Sequence, residues 1–131
     1  MNIGFAICGS FCTFHQVFPV MEVVASIHQV TPIFSFASQT TDSRFGCARE
    51  HIQRAEDICG RSCLCSLSQV EPIGPKKILD ALVIAPCTGN TLAKLAHSIA
   101  DTPVTLAAKS ALRNGLPILV AISTNDALAG L

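Results

Sequence analysis

The sequence contains no tryptophan and no tyrosine. That removes the usual stacking platform for single-stranded nucleic acid. Charge is scarce as well. Only 14% of residues are charged, and nine Lys and Arg balance nine Asp and Glu to a formal net charge of zero. Nothing in that balance points to nucleic acid or to an anionic membrane surface. No apolar run approaches the roughly 20 residues that span a bilayer. The N-terminus lacks a basic stretch and enters a strand-like run almost at once, so no signal peptide is expected. The dinucleotide fingerprint G-x-G-x-x-G is missing. No Ser–His–Asp or Cys–His constellation can be read from the chain.

What is present is apolar. Half of the 131 residues are hydrophobic, which suits one domain with a substantial core. Seven cysteines stand at positions 8, 12, 47, 59, 63, 65 and 87. An odd count with no export signal reads as reduced thiols in a cytosol, not as a disulfide framework. Cys59, Cys63 and Cys65 cluster, but at C-x3-C and C-x-C spacing instead of the C-x2-C pairs of a zinc site. No metal is expected, and the cysteines read as small buried apolar residues.

The chain is organised around residues 81–103, ALVIAPCTGNTLAKLAHSIADTP. Residues 81–85 are a short apolar run that Pro86 is expected to stop. A polar turn follows, Cys87-Thr88-Gly89-Asn90-Thr91. Then Leu92, Leu95, Ala96 and Ile99 recur at helical spacing. A buried strand feeding a helix presents free N–H groups and a positive dipole end. Together with the hydroxyl and amide groups of Thr88, Asn90 and Thr91, this is the chemistry of a phosphate cradle. An ordinary capped turn has the same appearance.

Residues 2–8 read as a first strand, broken by Gly9-Ser10. A helix follows over about 14–29, with Val17, Val20, Met21, Val24 and Ile27 on one face. Residues 30–36 form a second strand ending near Ser35, and Pro32 suits an edge. Residues 38–44 are a polar loop. Phe45, Ala48, Ile52, Ala55 and Cys59 then keep helical spacing until Gly60 closes the helix. Residues 62–67 read as a third strand. Asp101 or Thr102 caps a helix with Pro103 at its first position, carrying Leu106, Ala107, Ala111 and Leu112 and stopping at Asn114-Gly115. Residues 117–122 are a last apolar strand, followed by the polar loop Ser123-Thr124-Asn125-Asp126 and a helix from Ala127.

Five apolar strands alternating with helices imply a parallel sheet covered on both faces. In such sheets ligands sit beyond the carboxyl ends of the strands. Gly9-Ser10, Ser35, Thr88 to Thr91 and Ser123 to Asn125 all fall on that edge.

Five separated segments then carry a resemblance: ICGSFCTF from Ile7, TDSRFG from Thr41, EPIGPKK from Glu71, Leu82 to Pro103, and AISTNDAL from Ala121. In this order they resemble the flavoprotein family of flavin prenyltransferases and cysteine-type decarboxylases, and within it the branch of dipicolinate synthase B subunits. The resemblance covers essentially the whole chain. It implies a three-layer Rossmann-like, flavodoxin-like doubly wound α/β domain that binds FMN at a subunit interface. The family's flavin contacts, carried over by motif, fall on Gly9, Ser10, Ser35, Thr88, Asn90, Thr91 and Ser123. It also implies a homo-oligomer working in the cytoplasm of sporulating cells. A partner A subunit would hold NADP, and the pair would form dipicolinate from a dihydrodipicolinate-type precursor. Family members run on with a further strand and helix, so a chain short of that C-terminal part is expected.

The other branches fit less well. Prenyltransferases place an arginine where Ser123 stands, and the decarboxylases carry a histidine in the loop occupied here by residues 68–77, which has none. A non-catalytic FMN-binding scaffold is the third reading. Arg44 is a candidate bidentate partner for a substrate carboxylate, against a solvated loop arginine. His15 and Lys76-Lys77 read as surface residues, His97 as a hydrogen-bonded residue of a core helix, and Cys87 as a turn residue.

Overall fold

A computed structural model of the protein describes residues 1–124. Asn125, Asp126 and the helix expected from Ala127 lie outside the described residues. Strands β1 (Asn2–Ile7), β2 (Gln29–Phe34), β3 (Ala81–Cys87) and β4 (Ile118–Ile122) form one sheet in the order β2-β1-β3-β4. All three pairings are parallel. Pro32 lies on β2, an edge strand, where its missing N–H costs no ladder bond.

The strands are apolar in both phases because each face meets a helical layer. On one face Phe5, Ile7, Val30 and Phe34 pack under α1 (Phe14–Ile27) and α3 (Ala48–Cys59). On the other, Ala6, Cys8, Ile33, Leu82, Ile84 and Cys87 pack under α4 (Leu67–Val70) and α6 (Pro103–Arg113). Phe5, Phe18 and Phe34 are fully buried, and truncating one such ring to Ala typically costs about 3–5 kcal/mol. This is the expected three-layer doubly wound arrangement.

Several local expectations change. Residues 62–67 do not make a strand. Leu64 forms a single bridge to Ile33, with two backbone bonds to β2. On either side of it the Cys63 N–H donates to Glu56 Oε2 and the Cys65 N–H to Gln69 Oε1, both turned away from β2. Among the described residues the sheet therefore has four strands, not five. The loop expected over 38–44 begins inside a short helix, α2 (Phe36–Thr40), because Ser35 caps it. Pro86 does not end β3, which runs on to Cys87 through a cis Ala85–Pro86 peptide, with a register shift against β4 between Ile84 and Cys87.

The buried stripe of α1 is Phe14, Phe18 and Met21. Val17 and Val24 flank that core, whereas Val20 and Ile27 are exposed. The largest rings win the sheet-facing positions, which rotates the helix away from its valine-rich side. Phe45 precedes α3 in a turn and does not belong to the helix. Helix α5 (Gly89–Ala96) ends before Ile99, and Leu92 and Ile99 are exposed. Leu112 of α6 is exposed too. Strand β4 is largely open to solvent, with Leu119 at 58% and Ile122 at 56% exposure. Coverage of both faces thus holds for the inner strands but not for this edge.

The chain leaves β1 through α1 to reach β2, then returns past β1 to β3. The strand order reverses between β1 and β3, so their carboxyl ends diverge into a crevice. No helix among the described residues is long and apolar enough to cross a membrane. All seven cysteines are free thiols.

Candidate functional site

A cleft of about 640 Å³ opens at that crevice. Gly9, Ser10, Phe11 and Cys12 enter it after β1, Thr88, Gly89 and Asn90 after β3, and Ser123 and Thr124 after β4. Ser43, Arg44 and Phe45 form the facing lip, from the turn before α3.

Backbone bonds tie the strand ends together. The Cys8 N–H donates to Pro86 O at 3.1 Å and the Ser123 N–H to Cys87 O at 2.9 Å. The Ser10 hydroxyl donates to Ser123 O at 2.5 Å. Thr88 is the N-cap of α5, and its hydroxyl accepts from the Thr91 N–H at 3.2 Å. The cap serves one orphan donor of the first turn. Gly89 and Asn90 stand ahead of it with no carbonyl one turn back, so their N–H groups face the cleft side of the helix end.

The floor is a buried sulfur and hydroxyl layer. Cys8 and Cys87 are about 1% and 0% exposed. Cys8 Sγ lies 3.3 Å from Thr91 Oγ1, and Thr88 Oγ1 donates to that same oxygen at 3.2 Å. The Cys87 thiol donates to the Thr88 carbonyl at 3.6 Å. The neighbouring Cys87 side chain, with the Thr91 hydroxyl and the Thr88 backbone, outweighs burial and holds the Cys8 thiol down at about 7. The nearby Cys8 side chain pushes Cys87 well above the ordinary thiol range, and burial adds to the rise.

The lip is a tight turn. Ser43 and Gly46 exchange both backbone bonds, at 3.0 and 3.1 Å. Arg44 and Phe45 stand at its tip, the guanidinium 4.9 Å above the Phe45 ring. Asp42 Oδ1 accepts from the Ala48 N–H at 2.8 Å and anchors the turn to the start of α3.

Six of the eight residues singled out in the sequence meet in this cleft: Gly9, Ser10, Arg44, Thr88, Asn90 and Ser123. Thr91 is buried beneath it. Ser35 is also buried, where its oxygen accepts from the Ser38 N–H to cap α2. His97 is the exposed C-cap of α5 and neither a core residue nor a cleft residue. Cys87 is floor, not turn. Phe11 and Phe45 are walls that the sequence does not single out. They sit inside the family motifs, but no spacing rule marks them as facing a ligand. His51, behind the lip, carries no sequence signal at all.

The arrangement suits a ligand with an anionic end and a flat body. The Asn90 amide and a helix N-terminus meet the anion, two aromatic rings offer apolar contact, and a guanidinium stands at the rim for a carboxylate. Among the described residues, no group of three or more His, Cys, Asp or Glu is placed to hold a metal ion.

Residues 2–128 match the family described as Flavoprotein. The chain is 45% identical over 128 residues to the B subunit of dipicolinate synthase from Bacillus subtilis (strain 168), covering 97% of this chain and 64% of that one. The crystal structure of the corresponding B subunit from Bacillus halodurans is similar at a TM-score of 0.83 and 45% identity, over 97% of this chain and 66% of that one. An FMN-dependent cysteine decarboxylase from thioviridamide biosynthesis shares the fold at a TM-score of 0.72 and 20% identity, over 98% of this chain and 76% of that one. The chain spans about two thirds of the length of the first two relatives.

Proposed function

Because the chain belongs to the flavoprotein family, we propose that it binds FMN in the strand-end cleft and acts as a B-type subunit of a dipicolinate synthase. The observation that carries this reading is the convergence of Gly9, Ser10, Thr88, Asn90 and Ser123 on one cleft at the strand-order reversal. The residues fit the cofactor. The Ser10 backbone N–H, the Asn90 amide and the first turn of α5, which Thr88 caps, would hold its phosphate, and the rings of Phe11 and Phe45 offer apolar surface to its flat ring system. Bound there, a flavin supplies a centre that accepts or returns electrons.

Forming the aromatic pyridine dicarboxylate from a dihydro precursor removes a hydride and a proton. With no dinucleotide fingerprint in this chain, the hydride acceptor is NADP held by an A subunit. The substrate's carboxylates would lie at the shared face, where Arg44 clamps one of them in a bidentate pair. Cleft walls contributed by a second copy, as the branch implies, would make the assembly a homo-oligomer whose stability depends on protein concentration.

The test is dipicolinate formation with NADP by an A subunit alone, by this chain alone, and by both. Turnover that requires both is expected. Full turnover by the A subunit alone would remove the two-subunit reading.

A further inference from the structure

His51, on α3, is 7% exposed yet lies directly behind the cleft lip. Its Nε2 is 3.2 Å from the Phe45 carbonyl oxygen. A carbonyl only accepts, so the ring proton sits on Nε2 and is donated to the lip. Nδ1 is buried with no hydrogen-bond partner among the described residues. Three rings enclose the imidazole: Phe14 edge-on at 4.7 Å, Phe18 at 6.1 Å and Phe11 at 6.4 Å. Gly46 makes the approach possible. It has φ +131, and a Cβ there would sit 2.8 Å from His51 Nε2. A polar ring held in a phenylalanine cage, with one nitrogen left unpaired, is costly to bury. Packing alone would be better served by an apolar side chain. What His51 supplies that Phe or Leu cannot is the one bond to the tip of the Ser43–Gly46 turn.

We infer that His51 is a positioning residue: its Nε2–H fixes the Phe45 carbonyl, and so holds Arg44 where it meets a carboxylate-bearing ligand in the cleft. The lip's turn bonds close only upon themselves, between Ser43 and Gly46. They define the turn's shape but not its place against the cleft. Asp42 anchors the turn's entrance, and His51 anchors its tip. The part concerning Arg44 rests on the carboxylate clamp proposed above.

The experiment separates the two. His51→Phe keeps the ring and removes the donor; His51→Gln keeps an N–H at similar reach. Trypsin cuts after Arg44, so limited proteolysis reports the lip directly, with no ligand present. Loss of one net hydrogen bond should speed cleavage at Arg44 about fivefold in the Phe variant, with the other tryptic sites unchanged and the Gln variant close to wild type. Calorimetric binding of pyridine-2,6-dicarboxylate should weaken by a similar factor in the Phe variant. Arg44→Gln should weaken it at least as much, and the double variant no further than Arg44→Gln alone. Wild-type cleavage at Arg44 in the Phe variant would overturn the inference, as would equal loosening by Phe and Gln. Faster cleavage combined with a neutral Arg44→Gln would support the anchoring by His51 and remove the clamp. Should His51→Phe fail to fold, Gly46→Ala breaks the same contact from the outer side of the lip, and the same cleavage result is expected of it.

Discussion

The Ser10 hydroxyl donates to the Ser123 carbonyl across 2.5 Å, joining residues 113 apart in the chain. The bond links the loop after β1 to the loop after β4, over the end of β3 that lies between them. It closes one side of the cleft and consumes the only proton the Ser10 hydroxyl can donate. Ser10 can therefore meet a ligand only through its backbone N–H or as an acceptor.

Replacing Ser10 by Ala should cost about 1 kcal/mol, the net worth of one partly buried hydrogen bond. Urea denaturation would show a lower midpoint at an unchanged slope. A midpoint equal to wild type would mean that the two loops hold their places without this bond.

Asn90 behaves differently. It lines the cleft, and its side chain makes no hydrogen bond among the described residues. Asn90→Leu should leave thermal stability within about 0.5 kcal/mol of wild type while flavin affinity falls about tenfold, the effect of losing one buried polar contact. Flavin retained through purification at the wild-type level would take Asn90 out of the site.

The thiol pair in the floor makes a pH prediction. Cys8 is held at about 7 against an ordinary 9.0, chiefly by the Cys87 thiol. A group whose folded value is depressed contributes stability that is present above the unfolded value and lost as pH falls through the folded one. The Cys8 contribution should therefore grow from about pH 7 to pH 9. Above pH 9 the raised Cys87 works against it, because only the unfolded Cys87 thiol ionises there. Thiolate absorbance should show a buried group titrating near pH 7 that disappears in Cys87→Ala, where burial acts on Cys8 without the neighbouring Cys87 side chain. A titration that persists in that variant would assign it to another thiol.

Helix α6 depends on a reciprocal cap. The Thr102 hydroxyl accepts from the Thr105 N–H at 3.1 Å, and Thr105 Oγ1 accepts from the Thr102 N–H at 3.0 Å. Thr102→Ala should cost about 1 kcal/mol, and Thr102→Ser should restore most of it. Equal stability of all three forms in thermal unfolding would show that Pro103 and the packing of Val104 and Ala107 suffice to start the helix.

The short-range grammar of the chain was legible without the fold. Alternating apolar runs and helical periods mark β1, β3, β4, α1, α3 and α6, and Thr102-Pro103 and Gly60 mark helix ends where the structure has them. The polar groups at the ends of apolar strands could be placed on one edge, where the cleft lies, because every parallel strand presents its carboxyl end to the same side. Only tertiary packing decided which of those groups line the cleft. Ser35 and Thr91 look like Ser10 and Thr88 in sequence, yet they turn inward to cap α2 and to meet Cys8. Packing also chose Phe14, Phe18 and Met21 over the valines of α1, and it left residues 62–67 with one bridge, at Leu64. His51 shows the limit most plainly. Its role depends on the Phe45 carbonyl, on the bare Cα of Gly46 and on three rings from another helix and turn. Periodicity is a property of one segment, whereas the direction a side chain faces is settled by what the other segments bring against it.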